Sequence, residues 1–339
     1  RGVHARVPLP PNTVCMSVPR RCLITVEMGQ ETPIGQAILR SDLDLDAPKH
    51  IFLMIYLLWD RKVNGPKSFF HPYYEILPPT LRNMPIFWTQ EELDGLKGSY
   101  LLHQIDDRNE AISDDYHAIC QIAPLAQICT LDEFKWARMC VCSRNFGLQI
   151  DGHRTSALVP HADMLNHYRP RETKWTFDED RQAFTITTLQ PIPAGAQVYD
   201  SYGQKCNHRF LLNYGFAVED NRELDGFCPN EVPIELTLTP EDPLFAQKLD
   251  FWMRGEVNLN KSTTKRVRVC VANNENTRLL FSLLRAMHCN SEELHAITTP
   301  VTSSDMRTLF VPEHRGALAS YYRSCRDIRH PLGLRNERA

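Results

Sequence analysis

VYDSYGQKCNHRFLLNYGF, residues 198–216, is the stretch on which the reading of this chain turns. Its first half, within AQVYDSY, alternates as a strand does. After Cys206-Asn207 a short helix is predicted to run to Tyr214 and to stop at Gly215, the residue type that accepts the left-handed conformation beyond a helix C-terminus. Four aromatic side chains, Tyr199, Tyr202, Tyr214 and Phe216, crowd into this strand-then-helix unit. Taken singly, each is an ordinary core aromatic. Outward from it lie three further patches of concentrated chemistry: PHADMLNHY at 160–168, SRNFG at 143–147 and RGV at 1–3. In the first of these, Asp163 and His167 stand at i and i+4, a pair able to hold a metal, with His161 as the one further candidate nearby.

The rest of the chain predicts a scaffold of mixed type. RGVHARVPL, TVCMSVP and RRCLITV, residues 1–26, alternate around a turn at Pro10-Pro11-Asn12 and predict a small β unit. An apolar helix is expected from Ala47 to Lys62 and a mostly polar helical stretch from Thr89 to about Ile122, so that residues 47–145 form a helical insert. Thr130, with Glu133 three residues on, makes a capping-box pattern ahead of LDEFKWARMCVCSRNF. Strand signals return in TSALVPHADM, and KWTFDEDRQAFTITTLQ predicts a hairpin turning at Asp178-Glu179-Asp180. From about Glu231 the chain changes character, with a Pro-rich join and helical patterns at 277–288 and 314–328. A boundary is therefore expected near residues 228–240, dividing the chain into domains 1–230 and 231–339. No repeat is evident.

Composition narrows the function. With 339 residues, 42% hydrophobic and 23% charged, the chain can bury a sizeable core and is neither a disordered polyelectrolyte nor a low-complexity sequence. The longest apolar run, Ile51–Trp59, falls well short of the ~20 residues of a bilayer crossing, so no membrane role is expected. Lys and Arg number 38 against 41 Asp and Glu, a net charge of −3, which offers no global field for nucleic acid. The 11 cysteines are odd in number, scattered and without a CxxC pair. They predict free thiols in a reducing intracellular compartment and no metal site. Arginines dominate from Arg315 onward, either as a solvated helix face or as a patch for an acidic partner.

Together and in this order, the patches resemble the motifs of SET-domain protein methyltransferases of the Rubisco large-subunit lysine methyltransferase-like class, which has histidine-directed members as well. Arg1-Gly2-Val3 resembles the end of the GRG(V/L) cofactor loop, and VPRRCLITVE at 18–27 the segment that follows it. ADMLNH at 162–167 resembles the (A/W)DMxNH signature, YDSYG at 199–203 the catalytic-tyrosine motif, and CNHRFLLNYGF at 206–216 the SNAEFxxxYGF motif. His208-Arg209 departs from the usual Ala-Glu. The resemblance spans essentially the whole chain. It implies an α+β fold: a SET domain of small β-sheets with a helical insert, followed by an all-helical C-terminal substrate-binding lobe. It also implies a monomer that transfers methyl groups from S-adenosylmethionine to a protein substrate and releases S-adenosylhomocysteine.

Residue by residue, the resemblance assigns Tyr202 as the catalytic tyrosine. Arg1, Gly2, Val3, Arg144, Asp163, Asn166 and His167, with Tyr202, fall to the cofactor: Asn166 and His167 to its amino-acid moiety and adenine, Arg144 to its carboxylate, Asp163 to holding the loop. Phe146, Ala162, Tyr199, Tyr214 and Phe216 fall to the substrate side. In the histidine-directed branch an asparagine stands where this chain has Phe146, and a tryptophan where it has Ala162. Phe146 cannot hydrogen-bond an imidazole but can line a tube for a lysine stem, so a lysine acceptor is expected, with protein histidine as the alternative. A catalytically inactive SET module is a further alternative, disfavoured by the intact Tyr202 and Asn166-His167.

Overall fold

The computed structural model describes residues 2–253, 263–270 and 274–297. Arg1, the helix expected at 314–328 and the arginines from Arg315 onward lie outside the described residues. The chain forms two compact units, Arg1–Phe227 and Cys228–Ala339.

The first unit opens with strands β1 (Val3–His4), β2 (Val14–Pro19) and β3 (Ile24–Thr25). Helices α1 (Val26–Glu31) and α2 (Pro33–Leu39) follow directly. Sequence reading missed this helical pair because the strand alternation runs up to it. The readable signal was Thr32-Pro33: Thr32 Oγ1 accepts from the Gly35 amide at 3.0 Å, and Pro33 occupies the first helical position, where its missing N–H costs nothing. The helical region continues through α3 (Pro48–Val63), α4 (His71–Ile76), α5 (Gln90–Asp94), α6 (Tyr100–Ile122), α7 (Leu125–Ile128) and α8 (Leu131–Arg144).

Within it, α3 is the central element. Ile51, Leu53, Met54, Ile55 and Leu57 are almost completely buried, each contributing about 1.5–3 kcal/mol by leaving water. Helix α8 begins with the expected capping box, in which Thr130 Oγ1 accepts from the Glu133 amide at 3.2 Å and Glu133 accepts from the Thr130 amide at 2.8 Å. It ends at Arg144, short of the predicted limit, because Asn145 starts a strand.

The remaining elements of this unit are β4 (Asn145–Ile150), β5 (His153–Leu158), β6 (Asn166–His167), β7 (Thr173–Asp178), β8 (Ala183–Thr188), β9 (Gln197–Asp200) and α9 (Asn207–Tyr214). They complete three small sheets, ordered β1-β9-β6, β2-β8-β7 and β3-β5-β4. The N-terminal strands are thus not one β unit, as their sequence suggested; each joins a different sheet, because each finds its backbone partner much further along the chain. The predicted hairpin at Asp178-Glu179-Asp180 is the β7–β8 pair, Asp178 lying opposite Ala183.

In the second unit, strands β10 (Glu231–Thr237) and β11 (Thr264–Cys270) pair antiparallel and are joined by α10 (Phe245–Trp252), α11 (Asn274–His288) and α12 (Ser291–Ile297). The expectation of an all-helical lobe is therefore corrected. In β11, Val267 is buried between outward Arg266 and Arg268, and Arg266 lies opposite Glu235 and ion-pairs with it. That alternation is a strand signal the Pro-rich join had obscured. Val267, Trp252, Leu236 and Leu283 belong to one apolar cluster.

Helix α1 approaches α3 through a glycine. A Cβ on Gly29 would lie 1.9 Å from the Phe52 carbonyl oxygen, which no flexible side chain can relieve. Gly29→Ala should lower stability by about 1–3 kcal/mol, the usual cost of overpacking, read as a lower midpoint in urea unfolding; an unchanged midpoint would refute this packing.

Candidate active site

The site is assembled by β9. On one side β1 pairs with it antiparallel, placing Val3 opposite Val198; on the other, β6 pairs with it parallel, placing Asn166 opposite Tyr199 and His167 opposite Asp200. One strand thus brings Gly2-Val3, DMLNH and YDSYG side by side. The approach is close: a Cβ on Gly2 would fall 2.4 Å from Gln197 Oε1 and 3.0 Å from Asn166 Nδ2, so a larger residue there would push those two side chains aside. These segments border a cavity of about 1030 Å³, lined by Gly2, Val3, Arg144, Asp163, Asn166, His167, Tyr202, Tyr214 and Phe216, with Asn83, Met84 and His161 among the further walls.

Arg144, the last residue of α8, reaches Asp163 through Nη1, at 3.1 Å from Oδ2 and 3.2 Å from the backbone oxygen. Tyr73, from α4, donates to the same Oδ2 at 2.8 Å. The Asp163 side chain is wholly buried, and burial pushes its carboxyl above the ordinary range while Arg144 and Tyr73 pull it down. For Arg144, burial works against its charge and Asp163 outweighs it, holding the guanidinium firmly protonated. Asp163 and His167 do not converge as a metal pair: His167 Nδ1 instead accepts from the Tyr202 amide at 3.0 Å. The ring proton therefore sits on Nε2, a buried atom with no partner among the described residues. Burial, reinforced by Arg169 and Lys205, lowers the His167 pKa to about 4, so the ring is neutral.

Tyr202 donates its hydroxyl to the Leu165 carbonyl at 2.8 Å. Its pKa is pushed up to about 12, chiefly by burial, so this hydroxyl is a donor and not a base. Its ring stacks on Tyr214, with centroids 4.8 Å apart, and on His167 at 5.2 Å. Phe216 stacks on Phe210 and lies beside both tyrosines. Gly215, at φ 77°, ends α9, and a Cβ there would meet Asn83 Nδ2 at 2.1 Å. Asn83 donates to the Tyr214 and Gly215 carbonyls at 3.4 Å. Neither Asn83 nor Tyr73 carried any sequence signal; both come from the helical region and meet the motifs only through folding.

Three residues expected at the substrate side are not cavity walls. Phe146 packs edge-on between Trp175 (5.4 Å) and Phe184 (4.9 Å) in the β core, because it shares with Leu148 and Ile150 the inward face of β4. Ala162 is buried in the same core. Tyr199 lies against Tyr168, its hydroxyl accepting from Gln197 Nε2 at 3.1 Å.

Among solved structures, Rubisco LSMT bound to sinefungin and monomethyllysine matches with a TM-score of 0.69 at 24% identity, covering 88% of this chain and 66% of that one. The SET domain of LSMT bound to lysine and AdoHcy matches with a TM-score of 0.67 at 23% identity and the same coverage. The chain has the SET-domain fold of the Rubisco LSMT class. No family model matches it. Curated relatives include the actin-histidine N-methyltransferases of Gallus gallus and Mus musculus, each 28% identical over 268 residues, which is 76% of this chain and 43% of theirs. The chain thus spans less than half the length of these relatives. In this SET fold, the three motifs that meet on β9 are among those that carried the sequence resemblance.

Because the His167 pKa is depressed from 6.5, its stabilising part is whole above that value and is lost as pH falls toward about 4. The stability of the wild type relative to His167→Gln should therefore shrink between those values in unfolding titrations; pH curves that stay parallel would overturn the neutral-acceptor assignment.

Proposed function

We propose that this chain is an S-adenosylmethionine-dependent protein N-methyltransferase whose acceptor is a lysine side chain. The observation that carries this reading is Tyr202: a protonated hydroxyl tied to the Leu165 carbonyl, on a ring stacked against Tyr214, at a cavity shared with Gly2, Arg144 and Asn166. The residues fit the cofactor. The bare backbone at Gly2 permits close approach, Arg144 offers a fixed cation for a carboxylate, and the volume suits a nucleoside joined to an amino acid. Gly2, Arg144, Asn166 and His167 would hold it. When bound, it supplies a sulfonium methyl for in-line transfer.

The chain's own task is to present a neutral amine in the right direction. A free lysine has a pKa of ~10.4, so its deprotonation near pH 7 costs about 4–5 kcal/mol. Apolar walls from Tyr214, Phe216 and the ring of Tyr202 lower that cost by disfavouring a second cation. Tyr202 cannot take the proton, since its hydroxyl is held protonated, and His167 presents its lone pair to the Tyr202 amide. The proton therefore leaves to solvent, and rate comes from proximity, orientation and preorganised polar groups. Lysine is favoured over histidine because the walls beside Tyr202 are the aromatic rings of Tyr214 and Phe216, an apolar surface that suits a long aliphatic stem; Phe146, packed into the β core away from the cavity, takes no part in the choice. The histidine reading is favoured by one observation, the likeness to actin-histidine N-methyltransferases.

Cell lysate incubated with the enzyme and isotope-labelled S-adenosylmethionine, then analysed by mass spectrometry, should yield methyllysine as the main product. Methylhistidine as the main product would replace the first reading by the second, and no labelled protein would remove both. Tyr202→Phe should slow turnover on the order of 10²–10³-fold with cofactor affinity nearly unchanged, the signature of a lost preorganised polar group. Equal losses of affinity and rate would assign Tyr202 a packing role.

A further inference from the structure

The loop from Ser201 to Cys206 has no regular backbone pairing, and Gly203 turns through φ 92° within it. Its most constrained member is nevertheless Tyr202. The amide of Tyr202 is bonded to His167 Nδ1, its hydroxyl to the Leu165 carbonyl, and its own carbonyl accepts from the Lys205 ammonium. Lys205 is half-buried and lies over the Tyr214 ring, Nζ being 5.8 Å from the centroid; burial lowers its pKa. An ammonium turned inward in this way gives up hydration, which must be offset by what it holds.

We propose that Lys205 is a positioning residue for Tyr202: its ammonium fixes the carbonyl end of that residue while His167 fixes the amide end. The other side of Lys205 is itself anchored. Its backbone carbonyl accepts from Asn221 Nδ2 at 2.9 Å, and Asn221, nearly fully buried, accepts from Arg169, which also ion-pairs with Glu223. Asn207 exchanges two hydrogen bonds with the backbone of Val218, at 2.8 and 2.9 Å. The segment 218–223 therefore buckles the loop, and Lys205 passes that constraint to the tyrosine. Nothing in the motif resemblance gave Lys205 a role. The inference rests on the functional reading only in taking Tyr202 as the catalytic tyrosine; the clamp itself is a matter of backbone geometry.

The test compares Lys205→Met, which keeps the stem and loses the donor, with Lys205→Arg, which keeps both donor and charge. Amide hydrogen exchange resolved at Tyr202, with the Ile55 amide in the core of α3 as an internal reference, should be about tenfold faster in Lys205→Met, unchanged at Ile55, and restored in Lys205→Arg. In parallel, calorimetry with S-adenosylhomocysteine should show an unchanged Kd, while kcat for methyl transfer to lysate protein falls roughly tenfold with little change in KM. Unchanged exchange at Tyr202 would overturn the proposal, as would equal acceleration at Ile55, which would mean a general loss of stability. Should Lys205→Met not fold, Lys205→Leu, which likewise has no donor, makes the same comparison. If the wild type fails to bind S-adenosylhomocysteine, the functional reading falls, and the exchange measurement still decides the clamp.

Discussion

Strand β9 is hydrogen-bonded on both sides, antiparallel to β1 and parallel to β6, and every feature of the cavity depends on that double pairing. The flanking strands are two residues long, too short to persist alone. They hold because β9 offers a backbone partner along each of its edges and its own Val198 and Asp200 are buried, where an unpaired backbone donor or acceptor is costly.

Once the strands are fixed, the electrostatics follow from burial. Burial raises the Asp163 carboxyl, while Arg144 and the Tyr73 hydroxyl, both bonded to its Oδ2, work against that rise, and Asp163 in turn holds Arg144 protonated. His167 is held neutral, with its lone pair committed to a backbone amide, and Tyr202 is held protonated, with its hydroxyl committed to a backbone carbonyl. A cavity arranged like this can orient a polar ligand and exclude extra positive charge. On the proposed reading, those are the two requirements for attack by a neutral amine.

Much of this was legible. The capping box at Thr130, the apolar helix of α3, the hairpin over Asp178–Asp180 and the stop at Gly215 are local signals, each written in a few adjacent residues, and each is where it was expected. The motifs also named most of the cavity's walls. Phe146 shows where such reading stops. It sits in a motif with Arg144, but Arg144 is the last residue of α8 and borders the cavity, while Phe146 belongs to the strand that follows and shares the inward face of β4 with Leu148 and Ile150. Adjacency in sequence does not fix the face. The β10–β11 hairpin shows the converse: its alternation was present in TKRVRVC, but it was dominated by charge.

By itself, then, the sequence determined which segments are helix or strand wherever the signal is local, and which residue types gather around Tyr202, because periodicity, caps and motif order are properties of neighbouring residues. Only the tertiary structure decided that β1, β2 and β3 part company into three sheets, and that Tyr73 and Asn83 from the helical region complete the cavity. It also decided that Lys205 grips the Tyr202 carbonyl. The physical reason is common to all of these. A backbone or side-chain polar group is satisfied by whichever partner the packed cores bring within hydrogen-bond reach, and that partner can lie anywhere along the chain.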